Sequence, residues 1–266
     1  MNNKTSRRFF LRSSAILGIA TAFQVDGVFA KAISKNDFLS PSDGKNLVVL
    51  FQGDSITDGN RGRNNDPNHI MGHGYAFSVA SRVGADFPAS QLTFYNRGIS
   101  GNRVPDLKNR WQTDTLDLKP DVLSVLVGIN DASRFISSQS TEKPDYDLFE
   151  TTYRDILSQS KQQNAETLFV LCLPFVYPVG RVKEKWQQYQ DTVAELTKRI
   201  KKLALEFNAL TVDFPAVFEK ASKKAPIDYW TWDGIHPTVA GHELMAREWI
   251  KQVSTRLKFL KAYKYK

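Results

Sequence analysis

The stretch NLVVLFQGDSITDGN, residues 46–60, changes character at its centre. Leu47 to Phe51 form a short apolar run that ends at Gly53, the pattern of a strand buried on both faces. The residues that follow favour a turn or a helix start, so Ser55 stands just past the strand's carboxyl edge. Four further runs read the same way: QLTFYN (91–96), DVLSVLVG (121–128), TLFVLCL (167–173) and ALTVDF (209–214). Helical patterns lie between them. The clearest covers 184–207, where Trp186, Tyr189, Val193, Leu196, Ile200, Leu203 and Phe207 recur at steps of three and four and make one apolar stripe. Strands buried on both faces and separated by helices imply an α/β protein with a parallel sheet covered on each side. The polar segment SSQSTEKPDYD (137–147) reads as a surface loop.

Composition limits the alternatives. A chain of 266 residues, 41% hydrophobic and 12% aromatic, holds enough apolar material for one large α/β domain. Mean hydropathy is −0.38, and no apolar run approaches the roughly 20 residues that cross a bilayer, so no stable membrane anchor is expected. The single cysteine, Cys172, lies inside TLFVLCLPF, has no partner for an internal disulfide and reads as a small core residue.

The first residues read as an address. SRRFFLR (6–12), the apolar stretch AILGIATAF and the small residues Ala30 and Ala32 have the order of a twin-arginine signal peptide. That reading divides the chain into a signal over 1–32 and a single domain over 33–266, exported to the periplasm or beyond. A frayed basic terminus is the plainer alternative. Residues 1–30 carry Lys4, Arg7, Arg8 and Arg12 against Asp26, so their removal lowers the net charge from +8 to +5. The remaining cations are scattered or lie in KRIKK and KFLKAYKYK, where spacing suits a solvated face; without a nucleic-acid motif, no nucleic-acid partner is expected.

In an open parallel sheet, ligands bind at the carboxyl ends of the strands. The first strand delivers GDSITDGN there, with Ser55 at its head, although Asp54 and Ser55 equally suit a helix cap. The second ends in NRGISGNRV, whose Gly98 and Gly101 permit backbone conformations that other residues resist. The third ends in VGINDASR and places the Asn130 amide at the same edge, where an Asx-turn is the alternative. Near the end, TWDGIHPTVAGH (231–242) sets Asp233 three residues before His236. A serine hydroxyl needs an imidazole to take its proton during attack, and that imidazole needs a carboxylate to fix its tautomer. Gly234 lets the loop bend, and Pro237 keeps His236 extended before a helix begins.

These blocks, GDSIT, GISGN, GIND and DGIHP, occur in the order found in the GDSL, or SGNH, hydrolase family, which the chain resembles over residues 53–237. The resemblance implies a three-layer α/β/α, flavodoxin-like fold with a five-stranded parallel sheet. It also implies a serine esterase with Ser55 as nucleophile, His236 as base and Asp233 as its acid partner. Ser55, Gly101 and Asn130 match the oxyanion-hole donors. No cofactor or metal is expected: HELMA, from His242, lacks the second histidine of a zincin, and His69 and His73 read as loop residues.

Asp54, Phe175, Tyr177 and Trp186 are candidate substrate contacts, the three aromatics with Arg181 on the segment after the fourth strand. Trp186 also fits the core stripe. The expected partner is an acylated glycan or a small ester, and resemblance to exported carbohydrate esterases favours O-acetyl groups on a polysaccharide such as xylan or pectin. A lysophospholipase or broad lipase-like esterase is the rival enzyme, and an inactive glycan-binding protein is the alternative of a different class. Nothing in the sequence specifies an oligomeric state.

Overall fold

Each of the five apolar runs forms a strand: β1 (Val48–Gly53), β2 (Thr93–Asn96), β3 (Val122–Leu126), β4 (Leu168–Cys172) and β5 (Leu210–Val212). All pair in parallel, in the order β2-β1-β3-β4-β5. This computed structural model describes residues 44, 46–64, 66–137 and 144–264, all within one compact unit, Lys35–Lys266. The twin-arginine segment and residues 138–143 of the polar stretch lie outside the described residues.

The helices are α1 (Ser55–Asp58), α2 (Tyr75–Asp86), α3 (Val104–Asn109), α4 (Trp111–Asp114), α5 (Ile129–Ser137), α6 (Tyr146–Gln163), α7 (Trp186–Glu206), α8 (Phe214–Ser222), α9 (Ile227–Trp230) and α10 (Val239–Val253). One layer joins α2, α8 and α10; the other joins α3, α5, α6 and α7, giving a three-layer α/β/α sandwich. The inner strands β3 and β4 are buried along their whole length, which explains their largely apolar sequence, with Ser124 of β3 the one polar side chain among non-cysteine residues. The short edge strands β2 and β5 are partly exposed.

Side chains of the sheet lock it to the α2 and α10 layer. Phe51 of β1 packs on Tyr75 of α2 and Trp249 of α10, with ring centroids 5.8 and 5.2 Å apart. The Trp249 indole N–H donates to Ser124 Oγ of β3 across 3.0 Å, so the polar end of a buried ring is satisfied. Cys172 is buried beside Ser124, and burial pushes its thiol up to about 12, the state of an inert core thiol.

Two details differ from the sequence reading. The segment at 184–185 belongs to a short 3-10 turn, Gly180–Lys185, and α7 begins at Trp186. The polar stretch ends earlier than expected, because Asp145 caps α6 by accepting from the Leu148 N–H at 2.8 Å, which draws Tyr146 and Asp147 into the helix.

Strand order reverses at β1, which has β2 on one side and β3 on the other. At such a switch point the connections leave in opposite directions and a crevice opens beyond the carboxyl ends. The segments leaving β1, β2 and β3 carry Ser55, Gly101 and Asn130.

Candidate active site

Ser55 is the first residue of α1, directly after Asp54, whose Oδ1 accepts the Ile56 N–H at 3.0 Å and caps the helix. Ser55 Oγ lies 2.9 Å from His236 Nε2, although the two are 181 residues apart in sequence. His236 Nδ1 lies 2.8 Å from Asp233 Oδ2. The other carboxylate oxygen, Oδ1, accepts the backbone N–H groups of Ile235 (3.0 Å) and His236 (2.7 Å), so the acid is fixed by its own loop.

That loop is held at several points. Thr231 and Pro237 form a bridge, Trp232 N–H donates to the His236 carbonyl at 3.1 Å, and Tyr177 N–H donates to the Gly234 carbonyl at 2.8 Å. Gly234 has φ of 86°, and a Cβ there would collide with the Tyr177 carbonyl, so glycine is required on two counts. Thr238 Oγ1 then caps α10 by accepting from Gly241 N–H at 3.2 Å.

The electrostatics follow from these contacts. Burial raises the Asp233 carboxyl, but hydrogen bonds from the His236 ring and from the His236 and Ile235 amides outweigh it and bring it down to about 2. The Asp233 hydrogen bond in turn lifts the His236 imidazole above its ordinary value against partial burial. Asp233 is therefore ionised, and the His236 ring binds a proton more readily than a free imidazole.

The loop after β2 is tied back to β1 by Arg97 N–H to the Phe51 carbonyl (2.8 Å) and Ile99 N–H to the Gly53 carbonyl (3.1 Å). Gly101 has φ of 85°, and a Cβ there would meet no heavy atom within 4 Å, so this glycine faces open space. Asn130, in the first turn of α5, donates through Nδ2 to the Asn102 carbonyl at 3.1 Å. The structure thus joins Ser55, His236 and Asp233 in one hydrogen-bonded chain and links Asn130 to the Gly101 loop.

The expected substrate contacts fare differently. Asp54 is 1% exposed and lies beneath the surface, where burial pushes its carboxyl up to about 7, so it is unavailable to a substrate. Phe175 is likewise no rim residue: it is 2% exposed and packs on Phe214, Phe218 and Tyr177, because the chain after β4 turns inward. Tyr177 is half-buried, with its hydroxyl donating to the Pro215 carbonyl at 3.1 Å. Tyr177 and half-buried Trp186, with Phe175 at the floor, line a groove with Pro178, Gln190 and Pro215 that none of Ser55, Asp233 and His236 lines. His69 is exposed and contacts Asp66, and exposed His73 meets the Gly59 carbonyl through its backbone N–H. Among the described residues, no group of three or more His, Cys, Asp or Glu side chains is arranged to hold a metal ion.

Sequence reasoning missed three residues. Trp232 is 65% exposed, and its ring lies 6.1 Å from the His236 ring with the planes 22° apart. An aromatic in a loop without strand or helix periodicity was the available signal. Asp58 is buried and accepts the N–H and hydroxyl of Ser100 at 3.0 and 3.1 Å, fixing the residue before Gly101. Asp131, next to Asn130, is 5% exposed and accepts Val104 N–H at 3.3 Å, and burial pushes it up to about 7.

Known proteins with this architecture narrow the chemistry. The chain is 35% identical over 214 residues to an acetylxylan esterase of Geobacillus stearothermophilus, covering 79% of this chain and 95% of that one. The crystal structure of Axe2, an acetylxylan esterase from the same organism, superposes with a TM-score of 0.70 at 32% identity, over 79% and 95% of the two chains. A Parabacteroides merdae protein described as a GDSL-like lipase gives a TM-score of 0.74 at 37% identity, over 80% and 97%. Residues 51–244 match the GDSL-like lipase/acylhydrolase family. The chain belongs to that family and is a carboxylic ester hydrolase.

Proposed function

We propose that this enzyme removes O-acetyl groups from a polysaccharide, with acetylated xylan as the leading substrate. The observation that carries the reading is the continuous relay from Ser55 Oγ through the His236 ring to Asp233, with links of 2.9 and 2.8 Å. The similarity to an acetylxylan esterase supports the acyl group and the glycan.

In this reading Ser55 Oγ attacks the acetyl carbonyl while His236 Nε2 takes its proton, and Asp233 stabilises the imidazolium. The carbonyl oxygen becomes an oxyanion held by the N–H groups of Ser55 and Gly101 and the Asn130 amide. His236 returns the proton to the sugar hydroxyl, which leaves. Water then attacks the acetyl-serine with His236 again as base, releasing acetate and restoring Ser55. The departing alcohol lies on the His236 side, where the exposed Trp232 indole offers a flat apolar face suited to a sugar ring. Arg7 and Arg8 support export of the folded enzyme to where such polymers are met.

The test is hydrolysis of acyl esters of increasing chain length, followed by acetate release from acetylated xylan, with Ser55→Ala as control. Turnover confined to short acyl groups and abolished by Ser55→Ala is expected. Preference for long chains would move the assignment to a lipase, and equal inactivity of both proteins would move it to a binding role.

A further inference from the structure

The loop that carries Gly101 has a turn at its centre and anchors on either side. Ser100 is held by Asp58, as described above. Asn102 is held by Arg110, which closes α3 and is only 14% exposed along its side chain. Arg110 Nε donates to Asn102 Oδ1 at 2.8 Å, and Nη1 donates to the Arg97 carbonyl at 2.8 Å and to Asp114 Oδ2 at 3.0 Å. Its Nη2 reaches the Gly53 carbonyl at 3.4 Å, the same oxygen that accepts Ile99 N–H. One planar cation therefore spans the first and last residues of the 97–102 loop and the end of β1, two residues before Ser55.

Asn130 is bound into the same arrangement. One N–H of its amide is committed to the Asn102 carbonyl, which fixes the amide plane and leaves the second N–H for another acceptor. A shift of Asn102 would move the Gly101 N–H and the Asn130 amide together.

We propose that Arg110 is a positioning residue for the oxyanion hole: by holding Arg97, Asn102 and Gly53 at once, its guanidinium sets the spacing of the donors contributed by Ser55, Gly101 and Asn130. The inference rests on the catalytic reading above. The site uses four donors of a fixed planar fork, and a lysine, with one ammonium on a flexible stem, cannot reach the Arg97, Asn102 and Gly53 oxygens together in this geometry. The arrangement matters most when charge develops on the substrate oxygen, so its loss falls on turnover rather than on ground-state binding.

The experiment measures kcat and KM on an aryl acetate for the full-length Arg110→Lys, Asn102→Ala and double variants. Asn102→Ala removes only the side-chain acceptor and keeps the main-chain carbonyl, so it carries the test if Arg110→Lys fails to fold. Arg110→Lys is expected to lower kcat about 10- to 100-fold with KM within about threefold of wild type, less than deletion of a whole donor. Asn102→Ala is expected to lower kcat in the same manner, and the double variant to be little worse than Arg110→Lys, because the Arg110–Asn102 bond that Asn102→Ala removes is already lost in Arg110→Lys. Wild-type kcat in the variants, a raised KM with unchanged kcat, or fully additive losses would overturn the proposal. An inactive wild type, or activity retained in Ser55→Ala, would instead overturn the catalytic reading itself.

Discussion

His242 Nδ1 accepts the backbone N–H of Tyr75 across 3.1 Å, so an imidazole on α10 caps the start of α2. Gly74, the residue at that helix start, has no side chain to do so. The motif HELMA thus carries a structural histidine joining two helices of one layer.

Burial, reinforced by the charges of His73 and His236, pushes His242 down to about 4, and the capping role needs the neutral ring. A folded value below the unfolded one means that its contribution is complete above about pH 6.5 and is lost as pH falls toward 4, on the order of 2–3 kcal/mol. Urea midpoints measured from pH 7.5 to 4.5 should therefore fall, and His242→Gln, which keeps an acceptor without a titrating ring, should flatten the decline.

The acid limb of kcat/KM should follow His236. Its raised value, due first to the Asp233 hydrogen bond, shifts that limb upward from the ordinary histidine value, with activity lost as the ring protonates at lower pH. Asp233→Asn removes the carboxylate, so the limb should move to lower pH while kcat drops by about 1,000- to 10,000-fold. A pH profile unchanged by that substitution would exclude the pair from catalysis.

Asn130→Ala deletes one oxyanion donor. Turnover should fall about 100- to 1000-fold with little change in KM, and titration calorimetry with a non-hydrolysable sugar ligand should show retained binding. Ordinary turnover in this variant would contradict the assignment of its amide.

Trp232→Ala should separate the two halves of the ester. Loss of a stacking face costs about 0.5–1.5 kcal/mol, so kcat/KM on a sugar acetate should fall roughly three- to tenfold. Wild-type efficiency on methyl acetate is expected, since methanol presents no ring to stack. Equal losses on both substrates would assign the indole to loop stability rather than to the alcohol.

The sheet was legible because parallel strands covered on both faces must be largely apolar, and β1, β3 and β4 keep that signature with Gln52 and Ser124 as polar exceptions. Asp233 and His236 were legible because both lie in one loop of distinctive residues. Arg110, Asp58 and Trp232 were not. Asp58 and Arg110 matter through partners 42 residues away (Ser100) and 57 residues away (Gly53), and a lone arginine or aspartate gives no local sign of such a contact. Phe175 was misplaced for a related reason: the sequence marks where β4 stops but not that Phe214 and Phe218 of α8 draw the following residues inward.

The Thr231–Pro237 bridge closes a hairpin-like ring around Asp233 and His236, whose mutual bonds are all internal to seven consecutive residues. In the proposed mechanism, acid and base are thereby built as a prefabricated cassette. Evolution or an engineer can shift the whole cassette against the serine, or graft it beside another nucleophile, without having to rediscover the geometry between its carboxylate and its imidazole.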